Sequence, residues 1–194
     1  MSIISFKKIS KIFQHFLYRQ RAADKLTSNL DSIIGLCIKT NKRLWDLEDS
    51  ARMVEFGSEH VATVKWEIDR NNMIRNDLIR QIDLKIVKQL EPVISGPDKE
   101  YHSETPGMMI DRLSILFIKQ SVIRRLLSVI KEVDLKKEYT NKEKIILKQI
   151  EHLGGSVDVY LGKLAEKKIT FEPQQPVKIY DDKRVKKYIK LLRD

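Results

Sequence analysis

One arginine sits where the helical pattern calls for an apolar residue. At about 100° per residue, Val64, Ile68, Leu78, Ile79, Ile82 and Ile86 form a continuous stripe, with Arg75 at its centre and Asn72 on its edge. A polar band of Lys65, Asp69, Asn76 and Asp83 runs beside it. Such a stripe faces a bundle interior, where an unpaired guanidinium is costly to bury. Arg75 therefore needs a carboxylate or an opening into a cavity. Two segments can supply the acid. In one, Glu48 and Arg52 lie four residues apart, with Asp49 between them, beside the apolar face of Leu44, Leu47, Ala51 and Val54. The other is Asp111-Arg112, near the start of a later helix. The expectation is a polar cluster of Glu48, Arg52, Lys65, Asp69, Asn72, Arg75, Asn76 and Asp111 where three helices meet.

Two purposes fit such a cluster. An arginine–carboxylate network can lock a bundle into one packing. Alternatively, the mixture of both charge signs with two amides suits a ligand. Arg52, Lys65, Arg75 and Arg112 would then hold phosphate, helped by Asn72 and Asn76. Glu48, Asp49, Asp69 and Asp111 would act as a general base or as ligands for Mg²⁺. Thr105-Pro106-Gly107 also opens a helix, whose free first-turn amides can bind phosphate with Arg112 assisting, or be satisfied by an ordinary threonine cap. The chain has no phosphate-binding glycine loop, no dinucleotide fingerprint, no His/Cys metal spacing and no nucleophile elbow. His15, His60, His102 and His152 are scattered and read as surface or ordinarily packed side chains.

The elements that must position these residues read as helices throughout. The regions expected are 3–20, 22–56 with a break near Thr40-Asn41 and a stop at Gly57-Ser58, and 59–90 stopped by Pro92 and Ser95-Gly96-Pro97. Two more follow, from Thr105-Pro106 to about 137 and over 140–168 with a kink at Gly154-Gly155. After them, Phe171 to Pro176 reads as an extended linker, and 182–192 as a short basic helix with Val185, Tyr188, Ile189 and Leu192 on one face. The fold class is all-α, a single bundle of long antiparallel helices over 1–170, with 171–194 as linker and basic C-terminal helix.

Composition agrees. With 42% hydrophobic and 33% charged residues among 194, the chain can bury a core yet holds no apolar run long enough for a transmembrane helix. Seven Gly and five Pro give too little punctuation for an all-β fold. Cys37, the lone cysteine, lies in an apolar run and reads as a buried structural thiol. Met1 to Leu17 is interrupted by Lys7, Lys8 and Lys11 and makes a poor signal peptide, so a cytoplasmic location is expected. The net charge of +10 is unevenly placed, at +7 over residues 1–43, −5 over 44–118 and +8 over 119–194. The basic ends stand apart from the polar motifs, which argues against nucleic-acid binding, and the tail Lys183 to Lys190 reads as a solvated helix face. Ile9, Ile12, Phe13 and Phe16 give the first helix an apolar face that could rest on an anionic membrane surface, although packing on the bundle is the favoured reading.

Three blocks resemble a known family. They are Asn41-x-x-Leu44-Trp45-x-x-Glu48-Asp49-x-Ala51-Arg52, then Lys65-x-x-Ile68-Asp69-x-x-Asn72-x-x-Arg75-Asn76-Asp77, then Glu104-Thr105-Pro106-Gly107-x-x-x-Asp111-Arg112-Leu113-Ser114-Ile115-Leu116. In this order they resemble a bacterial domain-of-unknown-function family of about 200 residues. The family pattern often has Gln after the motif Asn, where this chain has Met73. The resemblance implies a cytosolic helical protein, often encoded among genes for surface-polysaccharide assembly, and implies no activity. Two functions are in competition. One is binding of, or action on, a phosphorylated or nucleotide-linked sugar. The other is a non-enzymatic accessory role beside a glycosyltransferase, its basic ends docking an acidic protein partner or the inner membrane face and its polar cluster purely structural.

Overall fold

Asn29 opens the first long helix by accepting the Ser32 amide on its side chain at 2.8 Å, an ordinary N-cap. The computed structural model describes residues 4–18, 29–91, 100–173, 175, 184–185, 188 and 191–192. Within them lie α1 (Phe6–Tyr18), α2 (Leu30–Ala51), a 3₁₀ turn (Val54–Phe56), α3 (Gly57–Leu90), α4 (Pro106–Leu127) and α5 (Val133–Ala165). Two-residue strands β1 (Glu100–Tyr101) and β2 (Ile169–Thr170) pair in parallel, Glu100 opposite Ile169 and Tyr101 opposite Thr170. The all-α bundle expected from the sequence is what forms. The small parallel pair, which the sequence pattern did not signal, ties the chain before α4 to the chain after α5.

Several boundaries differ from the expectation. α2 runs unbroken through Thr40-Asn41, because the Asn41 side chain finds partners in the interior rather than competing for its own backbone. It ends at Ala51, and Gly57 begins α3 instead of closing α2, in a left-handed conformation (φ 87°) that glycine adopts without strain. α4 stops at Leu127, ten residues short of the expected end, and α5 starts at Val133. α5 also continues through Gly154-Gly155. A Cβ at Gly154 would lie 2.4 Å from the Phe6 ring, so this glycine lets α1 approach α5 closely. The expected features at Pro92 and Ser95 to Pro97, and most of helix 182–192, fall outside the described residues.

The main core joins all five helices. Ile9 and Phe13 of α1, Ile34 and Ile38 of α2, Ile82 and Ile86 of α3, Ile110 and Leu113 of α4, and Leu161 and Leu164 of α5 are all buried. Phe13 meets Phe117 edge to face at 5.3 Å. The apolar face of α1 is thus spent on the bundle, and Phe171 extends the core just beyond β2. A separate, smaller cluster of Leu44, Leu47, Val64 and Ile68, with Ala51, holds the end of α2 against the start of α3. Among the described residues no helix is long and apolar enough to cross a membrane.

Candidate functional site

Asp111 is the hub of the polar interior. It lies on α4, only 2% exposed, and both its oxygens are engaged. Arg75 of α3 donates from Nε to Oδ1 at 2.9 Å and from Nη2 to Oδ2 at 2.5 Å, a two-point pair. Asn41 of α2 donates its amide to Asp111 Oδ1 at 2.8 Å and to Ser114 Oγ at 2.7 Å. The Ser114 hydroxyl in turn donates to the Asp111 carbonyl at 2.8 Å. Cys37, one turn before Asn41, donates weakly to Asp111 Oδ1 at 3.7 Å. Burial, reinforced by the adjacent Asp111 carboxylate, pushes the Cys37 thiol well above its usual range, so it is an inert packed group and no nucleophile. The bond to Asp111 likewise raises Arg75, which remains a fixed cation.

A cleft of about 300 Å³ opens directly over this network, between α2, α3 and α4. Its walls are Asn41, Leu44, Trp45, Glu48, Asp49 and Arg52 from α2 and its C-terminal cap, Asn72 and Arg75 from α3, and Ile115 and Ile118 from α4. The Arg75 side chain lines the cleft and is 29% exposed, whereas its partner Asp111 is enclosed. Nη1 of Arg75 has no hydrogen-bond partner among the described residues. The Arg52 side chain pairs with Asp49 at 3.2 Å, its one ion-pair partner among the described residues, and both are exposed. Glu48 forms no ion pair or hydrogen bond through its side chain among the described residues. The same residues also hold no group of three or more His, Cys, Asp or Glu placed to bind a metal ion.

The structure therefore brings together Glu48, Asp49, Arg52, Asn72, Arg75 and Asp111 from the sequence-derived set. It leaves the others elsewhere. Lys65 and Asp69 are exposed on α3 and do not line the cleft, and neither does the half-buried Asn76. Arg112 pairs with Glu104 at 3.0 Å and borders a shallower groove between α4 and α5. Thr105 is a buried N-cap whose hydroxyl accepts the Met108 amide at 3.2 Å. The neighbouring Gly107 amide is donated to Asp83 Oδ1 at 2.7 Å. Of the two readings of the α4 N-terminus, the threonine cap is the one that forms, and a protein carboxylate takes the Gly107 amide that a phosphate would have used. Asp111, named as a possible base, instead has both oxygens committed to holding Arg75 and Asn41.

Sequence reasoning missed Asn41, Ser114 and the part Cys37 plays. A signal existed for the first. Ile34, Cys37, Ile38, Asn41 and Leu44 follow the buried helical spacing, and the supposed break at Asn41 hid it. Ser114 stands three residues after Asp111, on the same face. Asp83 was read only as part of the polar band, yet it is fully buried and docks α4 on α3. A Cβ on Gly107 would come within 2.5 Å of the Ile79 carbonyl oxygen, so glycine is what permits this approach. Nearby, Tyr160 donates to the Glu104 carbonyl at 3.0 Å. Burial, with the Asp83 charge second, raises its phenol far above the usual tyrosine range.

A family model described as "Protein of unknown function (DUF4254)" matches residues 32–172, a span that contains every residue of the cleft and its network. No curated protein and no solved structure matches the chain.

Proposed function

The chain belongs to the DUF4254 family of proteins of unknown function, and from that premise we propose that its cleft binds a phosphorylated or nucleotide-linked sugar. The observation that carries this reading is the state of Arg75. One edge of its guanidinium is clamped by Asp111, while Nη1 on the other edge has no hydrogen-bond partner among the described residues, and Arg75 lines an open cleft. A guanidinium fixed in this way loses little entropy on meeting a phosphate and offers it directional donors. Trp45 supplies a broad apolar face for a sugar or base, and Asn72 an amide for hydroxyls. The volume stands at the small end of the usual ligand range of roughly 300–1,000 Å³. It suits a sugar phosphate, and a nucleotide-linked sugar would extend past the rim.

Charge refines the proposal. Arg52 and Arg75 face Glu48, Asp49 and the buried Asp111, a net of −1. A phosphate entering such a site is best accompanied by a divalent cation, held by its own oxygens and by Glu48 or Asp49. Glu48, which has no side-chain partner among the described residues, is also the group best placed to take a proton from a bound hydroxyl. Surface-glycan assembly, implied by the sequence resemblance, is a setting consistent with this ligand class. The test is thermal shift of the full chain against nucleotides, nucleotide sugars and sugar phosphates. A rise with one class, dependent on Mg²⁺, is expected, and a flat response across the panel refutes the proposal.

One observation favours a second reading, a non-enzymatic accessory protein in which the cluster is a lock. Asp111 already has both oxygens satisfied by the protein, so the network is complete without a ligand. Under that reading Arg52 and Asn72 are replaceable without consequence, and capture of a protein partner replaces ligand binding as the phenotype.

A further inference from the structure

A second depression lies on the other side of α2, between α1, α2 and α4. It measures about 530 Å³ and is lined by Phe16, Leu17 and Tyr18, by Ile38, Lys39, Lys42 and Asp46, and by Ser121 and Arg125. Three of these side chains are cationic and one is acidic. The acid is already taken, because Lys42 Nζ contacts Asp46 Oδ1 at 2.5 Å and Oδ2 at 2.7 Å. Lys39 and Arg125 have no carboxylate partner among the described residues.

The wall beneath Lys39 is specifically built. Phe16 lies against α2 at Gly35, where a Cβ would come within 2.1 Å of its ring, so only glycine lets the ring settle there. Lys39, one turn further on, places its ammonium 4.8 Å from the centre of that ring. A cation–π contact at an exposed position is weak, and an anion carrying full charge would draw the ammonium away from it. On α4, Ser121 is almost fully buried and adds a hydroxyl donor, one turn before Arg125.

We propose that this depression is an anion site for a phosphoryl group, with Lys39, Lys42 and Arg125 as its cationic ligands and Ser121 as a hydroxyl donor. It is independent of the α2–α3–α4 cleft. That cleft is net acidic and calls for a divalent cation, whereas this site carries a surplus of two positive charges and takes phosphate without one. The phosphoryl group can belong to a soluble compound or to a lipid headgroup, since the recognising chemistry is the same.

The test titrates the full chain with inorganic diphosphate in the absence of divalent cations, by calorimetry and ³¹P line broadening. In parallel it floats the protein with phosphatidylglycerol and with phosphatidylcholine vesicles. The comparison variants are Lys39→Ala/Arg125→Ala, both at exposed positions where the fold is not at stake, and Arg52→Ala in the other cleft. Saturable diphosphate binding, weakened at least about tenfold in the double variant and unchanged in Arg52→Ala, is the expected result. Flotation only with phosphatidylglycerol, lost in the double variant and without diphosphate binding, assigns the site to a headgroup. Binding that survives in the double variant, or no binding to either probe, overturns the proposal.

Discussion

Arg75 and Asp111 are joined by two hydrogen bonds across the α3–α4 interface, with the carboxylate enclosed and the arginine partly exposed and lining the cleft. The pair therefore has two faces, one turned to stability and one to whatever enters the cleft. Arg75→Ala strands a buried carboxylate. A fully enclosed pair broken on one side loses roughly 3–5 kcal/mol. Arg75 is 29% exposed, so water reaches the vacated space and the expected loss is about 2–3 kcal/mol by urea denaturation. Asp111→Asn, which keeps the shape and removes the charge, should cost less than Asp111→Ala.

Asn41 joins the same carboxylate to Ser114 from the α2 side. Replacing it with Leu should destabilise by about 1–3 kcal/mol, because Asp111 and Ser114 lose a buried donor. The loss should be less than additive with that of Arg75→Ala, since both act on Asp111. Additive losses in a double-mutant cycle would show that the network does not act as a unit.

Two glycines predict opposite responses to alanine. At Gly107 a Cβ meets the Ile79 carbonyl oxygen at 2.5 Å and Asp83 Oδ1 at 2.8 Å, so Gly107→Ala should lower stability by about 1–3 kcal/mol. At Gly155, inside α5, nothing lies within 4 Å, and Gly155→Ala should gain up to about 1 kcal/mol from helix propensity. Thermal melts of the two variants should move in opposite directions.

Alkaline pH should weaken the fold. Cys37 and Tyr160 both have raised pKa in the folded chain, mainly through burial. Each contributes stability that is intact below its unfolded pKa, about 8.5 for the thiol and about 10 for the phenol, and is lost as pH rises above that value. The melting temperature should fall from about pH 8.5 upward, and Cys37→Ala and Tyr160→Phe should each flatten part of the fall. Native Cys37 should also resist iodoacetamide at neutral pH and react on unfolding.

The apolar stripe of α3 and the Thr105-Pro106 start of α4 could be read from the residues alone, because periodicity and cap chemistry are local. The need of Arg75 for a carboxylate was local too, and it narrowed the source to the Glu48 segment or Asp111, of which Asp111 is the one that supplies it. What failed depended on the neighbours of a residue. Asn41 and Gly154 look like helix breakers in isolation, but one is satisfied by Asp111 and Ser114 and the other packs under Phe6. Lys65 and Asp69 were drawn into the cluster by the helical wheel. The second core beside them, Leu44, Leu47, Val64 and Ile68, is narrow, and their side of α3 is left to solvent. The second depression, too, is assembled from three helices whose relative placement no single segment encodes.

The most direct test of the cleft is calorimetric titration of sugar phosphates and nucleotide sugars, with Mg²⁺, into the native chain and into Arg52→Ala. The Arg52 side chain is exposed and, among the described residues, forms an ion pair only with the equally exposed Asp49, so its removal should leave the fold intact. The cleft account predicts saturable binding to the native chain, weakened about tenfold or more in the variant with an unchanged melting temperature. Equal binding by both proteins, or none by either, would contradict it.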